Sequence, residues 1–259
     1  MNRININSFP ELSYATAEAI NTLCTNLTFT GDQFRKVMLT SCHASEGKSF
    51  LTMNIARTFS RLGKKVAVVD ADLRRSMMIG HFDIQFADED HRIGLSHYLA
   101  GMAEENDVIY ETNLENVIFV PVGRDVSNSL PLLNSPRFPH LLDTLRDMVD
   151  YVIVDAPPVG SIIDAAQIAK SCDGVLLVVN YNEVRRRELV ESADQLRKTG
   201  CPILGTVLNM VAFDSFVGRK YYYKSYYSKY YYYYKKDGSE SGHKHRSLLG
   251  RLFSGKKKH

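Results

Sequence analysis

A glycine, a lysine and a serine follow one another at Gly47, Lys48 and Ser49, at the end of a short polar loop. The preceding residues 37–40 are apolar or β-prone and predict a buried strand, and the apolar spacing after Ser49 predicts a helix. At such a junction backbone amides bind phosphate oxygens, a lysine reaches the terminal phosphates, and a hydroxyl ligates Mg²⁺. Because Cys42 stands where the pattern has a glycine, an ordinary strand-to-helix turn is the alternative.

Two aspartates, Asp70 and Asp72, lie at the end of a second apolar segment, 65–70, which predicts another buried strand. Ligands of open α/β sheets gather at the carboxyl ends of strands. Near a magnesium–nucleotide complex, carboxylates hold the ion or accept a proton from a hydroxyl nucleophile. Helix-capping aspartates are the alternative, and the phosphate-binding pattern one element earlier favours the functional interpretation.

A third aspartate, Asp155, ends the apolar strand predicted at 151–155 and is followed by Pro157 and Pro158. The prolines stop the strand and stiffen the loop after it. An aspartate at this position is a usual Mg²⁺ partner in phosphate-loop ATPases. A strand ending in a capped turn is the alternative, but Asp155 is the third such element in order and therefore predicts a metal carboxylate.

Strands and helices are predicted to alternate along most of the chain. Strands are predicted at 37–40, 65–70, 116–122, 151–155, 174–180 and 203–209, helices at 10–29, 49–62, 94–101, 136–148, 162–171 and 184–198, and a long loop at 76–91. This alternation predicts an α/β fold with a doubly wound, mostly parallel sheet and helices on both faces.

The chain of 259 residues is expected to divide into three segments. Residues 1–30 are expected to be helical, to pack outside the main core or against another subunit, and to be a candidate oligomerisation element. Residues 31–216 form the predicted phosphate-loop domain, and residues 217–259 a flexible, disordered tail.

Charge is distributed unevenly along the sequence. Residues 217–259 hold twelve Lys or Arg against two acidic residues, a balance of +10, so a total of +3 leaves −7 for residues 1–216. The basic tail is therefore expected to meet an anionic partner. The four cysteines have neither zinc-ligand spacing nor a disulfide pattern, and no signal peptide or membrane-spanning segment is predicted.

Ten of the fifteen tyrosines lie in one run of the tail, at Tyr221, Tyr222, Tyr223, Tyr226, Tyr227, Tyr230, Tyr231, Tyr232, Tyr233 and Tyr234. They could stack on single-stranded nucleic acid. Alternatively they accept phosphate from a nucleotide bound upstream, each phosphate adding about −1.5 to −2 charge. A low-complexity solubilising tail is the third interpretation, weakened by the rarity of such tyrosine density.

These features resemble, in this order, the bacterial tyrosine kinases of capsular and extracellular polysaccharide synthesis (BY-kinases). The family has a loop S-x-x-P-G-E-G-K-S, an element V-D-A-D-L-R-R, an aspartate of D-x-P-P and a tyrosine-rich C-terminus. This chain has S-C-H-A-S-E-G-K-S, V-V-D-A-D-L-R-R, V-I-V-D-A-P-P-V and the run from Tyr221 to Tyr234. The loop and sheet alone also resemble the related MinD and ParA ATPases, which lack the tyrosine cluster.

The resemblance implies roles for individual residues, with ATP and Mg²⁺ as cofactors. Lys48, Asp70 and Asp72 are the implied catalytic residues, Asp72 being the base for the tyrosine hydroxyl. The implied metal site is Ser49, Asp70 and Asp155. The implied nucleotide-binding residues are Ala44, Ser45, Glu46, Gly47, Lys48, Ser49, Phe50 and Asn209, of which Asn209 would read adenine.

The sequence departs from the family in two places. Ala44 and Ser45 replace Pro-Gly in the loop. The family's N-terminal E-A-Y-R-x-L-R-T-N assembles a ring of subunits, and here both arginines are replaced, by Asn21 and Cys24. Self-association is therefore expected, but not a ring held by Glu–Arg pairing.

The resemblance predicts an ATP-dependent protein-tyrosine kinase that autophosphorylates its tail in trans and regulates polysaccharide synthesis or export. It resembles the split form, which is cytoplasmic and reaches the inner face of the plasma membrane through a separate membrane-bound activator, a polysaccharide chain-length regulator. A protein tyrosine phosphatase is the other implied partner, and nucleic acid is not expected. The alternatives are a membrane-associated ATPase switch like MinD or ParA, whose additional loop lysine is missing at Cys42, His43 and Ala44, and a nucleic-acid-binding ATPase that uses the tail.

Overall fold

A mixed β-sheet forms the core of the described part of the chain, which in this computed structural model comprises residues 2–88, 92–160, 163–181 and 183–211. Within these residues nine strands form the sheet in the order β4-β1-β5-β6-β3-β7-β2-β8-β9. Neighbouring strands from β6 to β9 are parallel, whereas β4 pairs with β1, and β5 with β6, in antiparallel fashion. The strands are β1 Asn2–Ile6, β2 Lys36–Ser41, β3 Val66–Asp70, β4 Ile84–Phe86, β5 Tyr110–Thr112, β6 Val117–Val120, β7 Tyr151–Asp155, β8 Gly174–Asn180 and β9 Ile203–Asn209.

Helices cover both faces of this sheet, because alternate residues of the central strands are apolar on both sides. Val37 and Leu39 of β2 belong to one apolar cluster with α1, α2 and α3, and Met38 belongs to a second cluster with α4 to α9. The predicted doubly wound α/β fold is confirmed. The helices are α1 Tyr14–Phe29, α2 Lys48–Arg61, α3 Met78–His81, α4 Leu95–Leu99, α5 Glu105–Val108, α6 Leu130–Leu133, α7 Arg137–Met148, α8 Asp164–Ala169 and α9 Arg186–Arg197.

Helix α2 fixes the carboxyl-terminal end of the phosphate-binding loop, because one face of the helix is buried against the sheet. Leu51, Ile55 and Phe59 lie on that face, and the Phe59 ring stacks on Tyr151 with centroids 4.3 Å apart. Burial of each such side chain contributes about 1.5–3 kcal/mol. Leu62, expected on the same face, is 57% exposed instead, because the helix ends at Arg61 and Gly63 turns the chain with φ 74°.

The N-terminal segment is part of the main core, contrary to the expectation that it packs outside. Strand β1 was not predicted; it lies between β4 and β5 and buries Ile4 and Ile6. Helix α1, within the predicted 10–29, buries Cys24 and Leu27 in the apolar cluster of α2. Residues 1–211 accordingly form one compact unit.

The region 76–91, expected to be one long loop, contains α3 and β4, and β5 was also unpredicted. These elements span three or four residues each, which is too short for a periodic apolar pattern. Residues 89–91, residue 162 at the predicted start of a helix, and the whole tail from 212 onward lie outside the described residues. In the ranges that are described, no helix has both the length and the apolar character needed to cross a bilayer.

Candidate active site

Three loops meet where β2, β3 and β7 end side by side. In the parallel register Asp70 at the end of β3 stands opposite Asp155 at the end of β7, and β7 also pairs with β2. The loop after β2, residues 42–47 and here called the phosphate loop, leads directly into α2. The sequence thus brings its candidate residues to one edge of the sheet, at the carboxyl ends where α/β folds bind ligands.

The backbone of the phosphate loop requires a left-handed conformation at two positions. Gly47 has φ 83°, and a Cβ atom there would lie 2.2 Å from Nδ2 of Asn209, so only glycine fits. Ser45 has φ 65°, which is uncommon for a side-chain-bearing residue outside Asn, Asp and His. Ser45 stands where the resembling family has glycine, so this departure introduces backbone strain into the loop.

Glu46 anchors the phosphate loop to the two strands beside it. Its carboxylate is buried, with the residue 2% exposed, and accepts hydrogen bonds from the amides of His43 (3.0 Å) and Asn180 (3.2 Å). Its carbonyl oxygen accepts one from Nδ2 of Asn209 (2.8 Å). The Glu46 side chain therefore holds the loop in shape, and a role of Glu46 in nucleotide binding stays a prediction.

Asp155 is held by the first turn of α2. Ser49 Oγ donates to Asp155 Oδ2 at 2.5 Å, and Thr52 Oγ1 lies 3.5 Å from Oδ1. Burial raises the pKa of Asp155 to about 6, although the nearby Lys48 charge and the Ser49 hydrogen bond oppose the shift. Because burial disfavours the charged form of Asp155, a cation that reaches this carboxylate would stabilise it.

Asp70 is the most isolated carboxylate of the site. It is fully buried, Ser76 Oγ donates to its Oδ2, and its Oδ1 has no hydrogen-bond partner in the described part of the protein. Burial first, and then the charge of Asp155, raise the pKa of Asp70 well above its usual range. An unpartnered buried carboxylate oxygen is costly, about 1–3 kcal/mol or more, so the pair of aspartates is suited to a cation.

The donor set fits Mg²⁺, which prefers oxygen ligands and keeps several waters and phosphate oxygens in its shell. Ser49 and Asp155 could hold the ion, and Asp70 is the register partner of Asp155 on the neighbouring strand. Within the described ranges no group of three His, Cys, Asp or Glu side chains forms a ready metal cage. The arrangement is therefore one that a nucleotide would complete, rather than a self-sufficient metal centre.

One cavity of about 730 Å³ connects these elements, a volume typical of small-molecule sites. The sequence-predicted residues that line it are Ala44, Ser45, Gly47, Lys48, Ser49, Phe50, Asp72, Asp155 and Asn209. Burial raises the pKa of Asp72, and the Lys48 charge works in the opposite direction. Lys48 and Asp72 therefore line the same cavity, so that a cation for the phosphates and a carboxylate for the incoming hydroxyl are both present, as phosphoryl transfer requires.

Comparison with known proteins decides the family. The AAA domain family matches residues 37–198. The tyrosine-protein kinase CpsD of Streptococcus pneumoniae is 38% identical over 192 residues, which cover 74% of this chain and 83% of CpsD. The chain belongs to the bacterial tyrosine kinases. The predicted family and enzyme class, a protein-tyrosine kinase, are thereby confirmed.

Solved structures agree with that assignment. The kinase domain of the Escherichia coli tyrosine kinase ETK superposes on this bacterial tyrosine kinase with a TM-score of 0.72 and 31% identity, over 77% of each chain. The septum site-determining protein MinD from Pyrococcus horikoshii is more distant, with a TM-score of 0.55 and 26% identity, over 67% of this chain and 69% of MinD. The expected relation of the fold to MinD is confirmed.

Two of the predicted site residues do not reach the cavity of this tyrosine kinase. The Glu46 carboxylate is bound by the amides of His43 and Asn180, and Asp70 is fully buried, with Ser76 Oγ donating to it. The ten candidate acceptors from Tyr221 to Tyr234 lie outside the described residues.

Sequence reasoning missed several residues that line the cavity of the kinase: Arg74, Arg75, Ser76, Met77, His81, Pro158 and Met210. Four of them directly follow Asp72 and its neighbours along the chain, so their proximity to a predicted site was the available signal. Met210 directly follows Asn209 and has φ 57°, which no sequence pattern announces.

Proposed function

We propose that this kinase transfers the γ-phosphate of ATP to the tyrosines of its own tail cluster, Tyr221 to Tyr234, on a neighbouring chain. The modification would regulate the synthesis or export of a capsular or extracellular polysaccharide. The observation that supports this most strongly is that Lys48, Asp72 and Asp155 line one cavity beside the phosphate loop, whose backbone requires a glycine at Gly47.

The nucleotide side of the proposal uses the phosphate loop and the start of α2. Backbone amides there bind the phosphates, and Lys48 reaches the terminal ones. Mg²⁺, when bound through Ser49 and Asp155, supplies charge neutralisation to the phosphate oxygens. The Asn209 nitrogen already donates to the Glu46 carbonyl, so the Asn209 oxygen is the atom proposed to accept from the adenine amino group.

The acceptor side of the proposal uses Asp72. The Asp72 carboxylate takes the proton of the tyrosine hydroxyl as the phenol oxygen bonds to the γ-phosphorus. The bond from that phosphorus to the bridging oxygen breaks, and ADP leaves with the electron pair. Because such a transfer depends mainly on alignment and charge neutralisation, the positions of Lys48 and Asp72 matter more than their basicity.

The partners belong to the same proposal. The kinase would act in the cytoplasm, at the inner face of the plasma membrane, where a separate membrane-bound chain-length regulator activates it and a protein tyrosine phosphatase reverses its product. Self-association would bring a neighbour's tail to the cavity. The family membership and the acidic body with its basic tail support this scheme.

A MinD-like ATPase switch without kinase activity is the second candidate, because the fold is shared with MinD. Against it, the loop offers no additional lysine at Cys42, His43 or Ala44. The His43 imidazole lies 3.5 Å from Glu188 on α9, and His43 does not line the cavity.

The test is incubation of the full chain with Mg-ATP, with and without the cytoplasmic segment of a candidate activator, followed by mapping of phosphotyrosine by mass spectrometry. We expect label within Tyr221 to Tyr234, lost in Lys48→Met and retained in the surface control Lys170→Met. For transfer in trans, Lys48→Met chains are mixed with active chains whose ten cluster tyrosines are phenylalanine, and the inactive chains should become labelled. Label confined to other tyrosines would rule out the cluster as acceptor, and ATP hydrolysis without any phosphotyrosine would favour the MinD-like switch.

A further inference from the structure

A buried carboxylate that does not line the cavity lies behind the loop that carries Asp72. Asp164, the first residue of α8, is 1% exposed. Arg74 Nε donates to its Oδ2 at 2.7 Å, and Arg74 Nη2 lies 3.4 Å from its Oδ1. Ser129 Oγ, also buried, donates to the same Oδ2. Asp164 is thus fully committed to two side chains from distant parts of the sequence.

Arg74 completes a link between three loops. Its Nη1 donates to the carbonyl oxygen of Ser127 at 2.9 Å, in the segment after β6. One residue earlier, Leu73 accepts a hydrogen bond from the amide of Val126 at 2.7 Å. The residues that follow β3 are therefore tied to the loop after β6 and, through Asp164, to the start of the helix that follows β7.

Asp72 lies two residues before Arg74, so these contacts restrain the backbone that carries Asp72. The amide of Arg75 donates to Asp72 Oδ1 at 3.2 Å, so the orientation of the Asp72 carboxylate depends on the backbone path through Arg74 and Arg75. Arg74 lines the cavity and its side chain is one-third exposed, so its position depends on its hydrogen bonds to Asp164 and Ser127 rather than on burial.

We propose that Asp164 is a positioning residue for phosphoryl transfer: through Arg74 it fixes the loop that presents Asp72 to the acceptor hydroxyl. The inference rests on the proposed kinase function and adds to it a residue that touches neither nucleotide nor acceptor. A misplacement of about 1 Å in a catalytic group can cost about 100-fold in rate. The bidentate contact with a buried carboxylate is the kind of geometry that prevents such a shift.

The kinetic test is Asp164→Asn in the full chain, which keeps the side-chain shape and removes the charge. We expect kcat for tyrosine phosphorylation to fall about 10- to 100-fold, with the dissociation constant for a fluorescent ATP analogue within about twofold of the wild type. Asp164→Glu should recover part of the rate. The matched control is Asp143→Asn, which breaks the 2.7 Å pair with Lys36 at the opposite edge of the sheet and should leave kcat unchanged.

A double-mutant cycle tests whether Asp164 acts through Arg74. If it does, Arg74→Met with Asp164→Asn should be no slower than Arg74→Met alone, because the second change removes an interaction already lost. Effects that multiply would show an independent, merely structural role and would overturn the inference. So would a folded Asp164→Asn chain with wild-type kcat.

Amide hydrogen exchange gives a readout that needs no kinase activity. In Asp164→Asn, and more weakly in Ser129→Ala, the Arg75 amide should exchange faster than in the wild type, whereas Asp143→Asn should leave it unchanged. Faster exchange in a chain that never phosphorylates tyrosine would support the positioning role and reject the proposed function. Unchanged exchange would reject the positioning role whatever the chain catalyses.

Discussion

At the amino-terminal ends of the parallel strands, charged groups are paired. Lys36 Nζ contacts Asp143 Oδ1 at 2.7 Å, and Asp173 Oδ2 accepts hydrogen bonds from the amides of Arg35 (3.0 Å) and Lys36 (2.7 Å). At the carboxyl ends, Asp70 and Asp155 are buried beside each other, and Asp70 Oδ1 is left without a partner in the described residues. The charged groups at the amino-terminal ends of the strands thus stabilise the fold, whereas those at the carboxyl ends include two buried aspartates that a bound cation would stabilise.

Backbone strain follows the same division. Among the described residues four that are not glycine have positive φ, namely Ser45, Asp83, Asn116 and Met210. Aspartate and asparagine tolerate this conformation comparatively well. The two exceptions, Ser45 and Met210, both line the cavity. Strain held by the surrounding structure is characteristic of functional sites, which agrees with the position of both residues at the cavity.

Of the changes considered, Gly47→Ala should have the largest effect, and the effect should be on nucleotide binding at the carboxyl ends of the strands. The new Cβ would meet Asn209 Nδ2 at 2.2 Å in a left-handed backbone, which alone costs about 1–2 kcal/mol. We expect nucleotide affinity to fall at least about tenfold, equal to 1.4 kcal/mol, by titration with a fluorescent ATP analogue. Gly63→Ala is the matched control, since Gly63 has φ 74° but no atom within 4 Å of a Cβ. If both variants lose affinity equally, the close approach of Asn209 is not what requires glycine.

Lowering the pH should stabilise the ligand-free chain, because Asp155 at the carboxyl end of β7 becomes protonated. The pKa of Asp155 is raised to about 6 in the folded protein, so the folded state binds this proton more tightly than the unfolded chain. The destabilisation by the charged form is present above pH 6 and is relieved as the pH falls through 6. The melting temperature of the wild type should therefore rise relative to that of Asp155→Asn between pH 7.5 and 5.5, measured by calorimetry. A constant difference would mean that Asp155 titrates normally.

Asp143→Asn, at the amino-terminal ends of the strands, should lower the stability of the fold without changing nucleotide affinity. The Asp143 side chain is 58% exposed but that of Lys36 only 11%, so the variant leaves a largely buried lysine without its charged partner. We expect a loss of about 1–3 kcal/mol in the free energy of unfolding by urea titration. Nucleotide affinity should not change. A change in affinity would mean that the two edges of the sheet are coupled.

Ser45→Gly should have the smallest effect, and it should be stabilising. Relief of left-handed strain contributes about 1–2 kcal/mol, and the extra freedom of glycine in the unfolded chain offsets about 0.4–1 kcal/mol. A net gain of about 0.5 kcal/mol is expected in urea titration. Asn116→Gly, at the amino-terminal edge, should gain less because asparagine is already suited to its φ of 59°. Equal gains would show that the strain is not concentrated at the cavity.

The central fold could be predicted from sequence because its signals are local and long enough. Residues 151–155 and 174–180 are continuous apolar runs, and the α2 face repeats with helical spacing. Strands β4 and β5 have three residues each and are defined by their pairing with β1 and β6 rather than by a pattern. Strand β1 does alternate, at Ile4 and Ile6, but its partner β4 lies about 80 residues away in the sequence.

The candidate site could be predicted only where neighbours in sequence are neighbours in space. Gly47, Lys48 and Ser49 announce a loop, and Asp72 and Asp155 follow predicted strands. The contact of Arg74 with Asp164 spans 90 residues, and no spacing rule connects them. The inward direction of Glu46 was missed for the same reason, because it depends on the amide of Asn180.

Thermal unfolding with and without Mg-ATP, in the wild type and in Asp155→Asn, tests most directly whether the carboxyl edge is a magnesium–nucleotide site. Asparagine removes the repulsion with Asp70, so the account predicts that ligand-free Asp155→Asn melts at a higher temperature than the ligand-free wild type at pH 7.5. Mg-ATP should then raise the melting temperature of the wild type and leave that of the variant almost unchanged. A variant that is less stable without ligand, yet gains as much from Mg-ATP as the wild type, would contradict it.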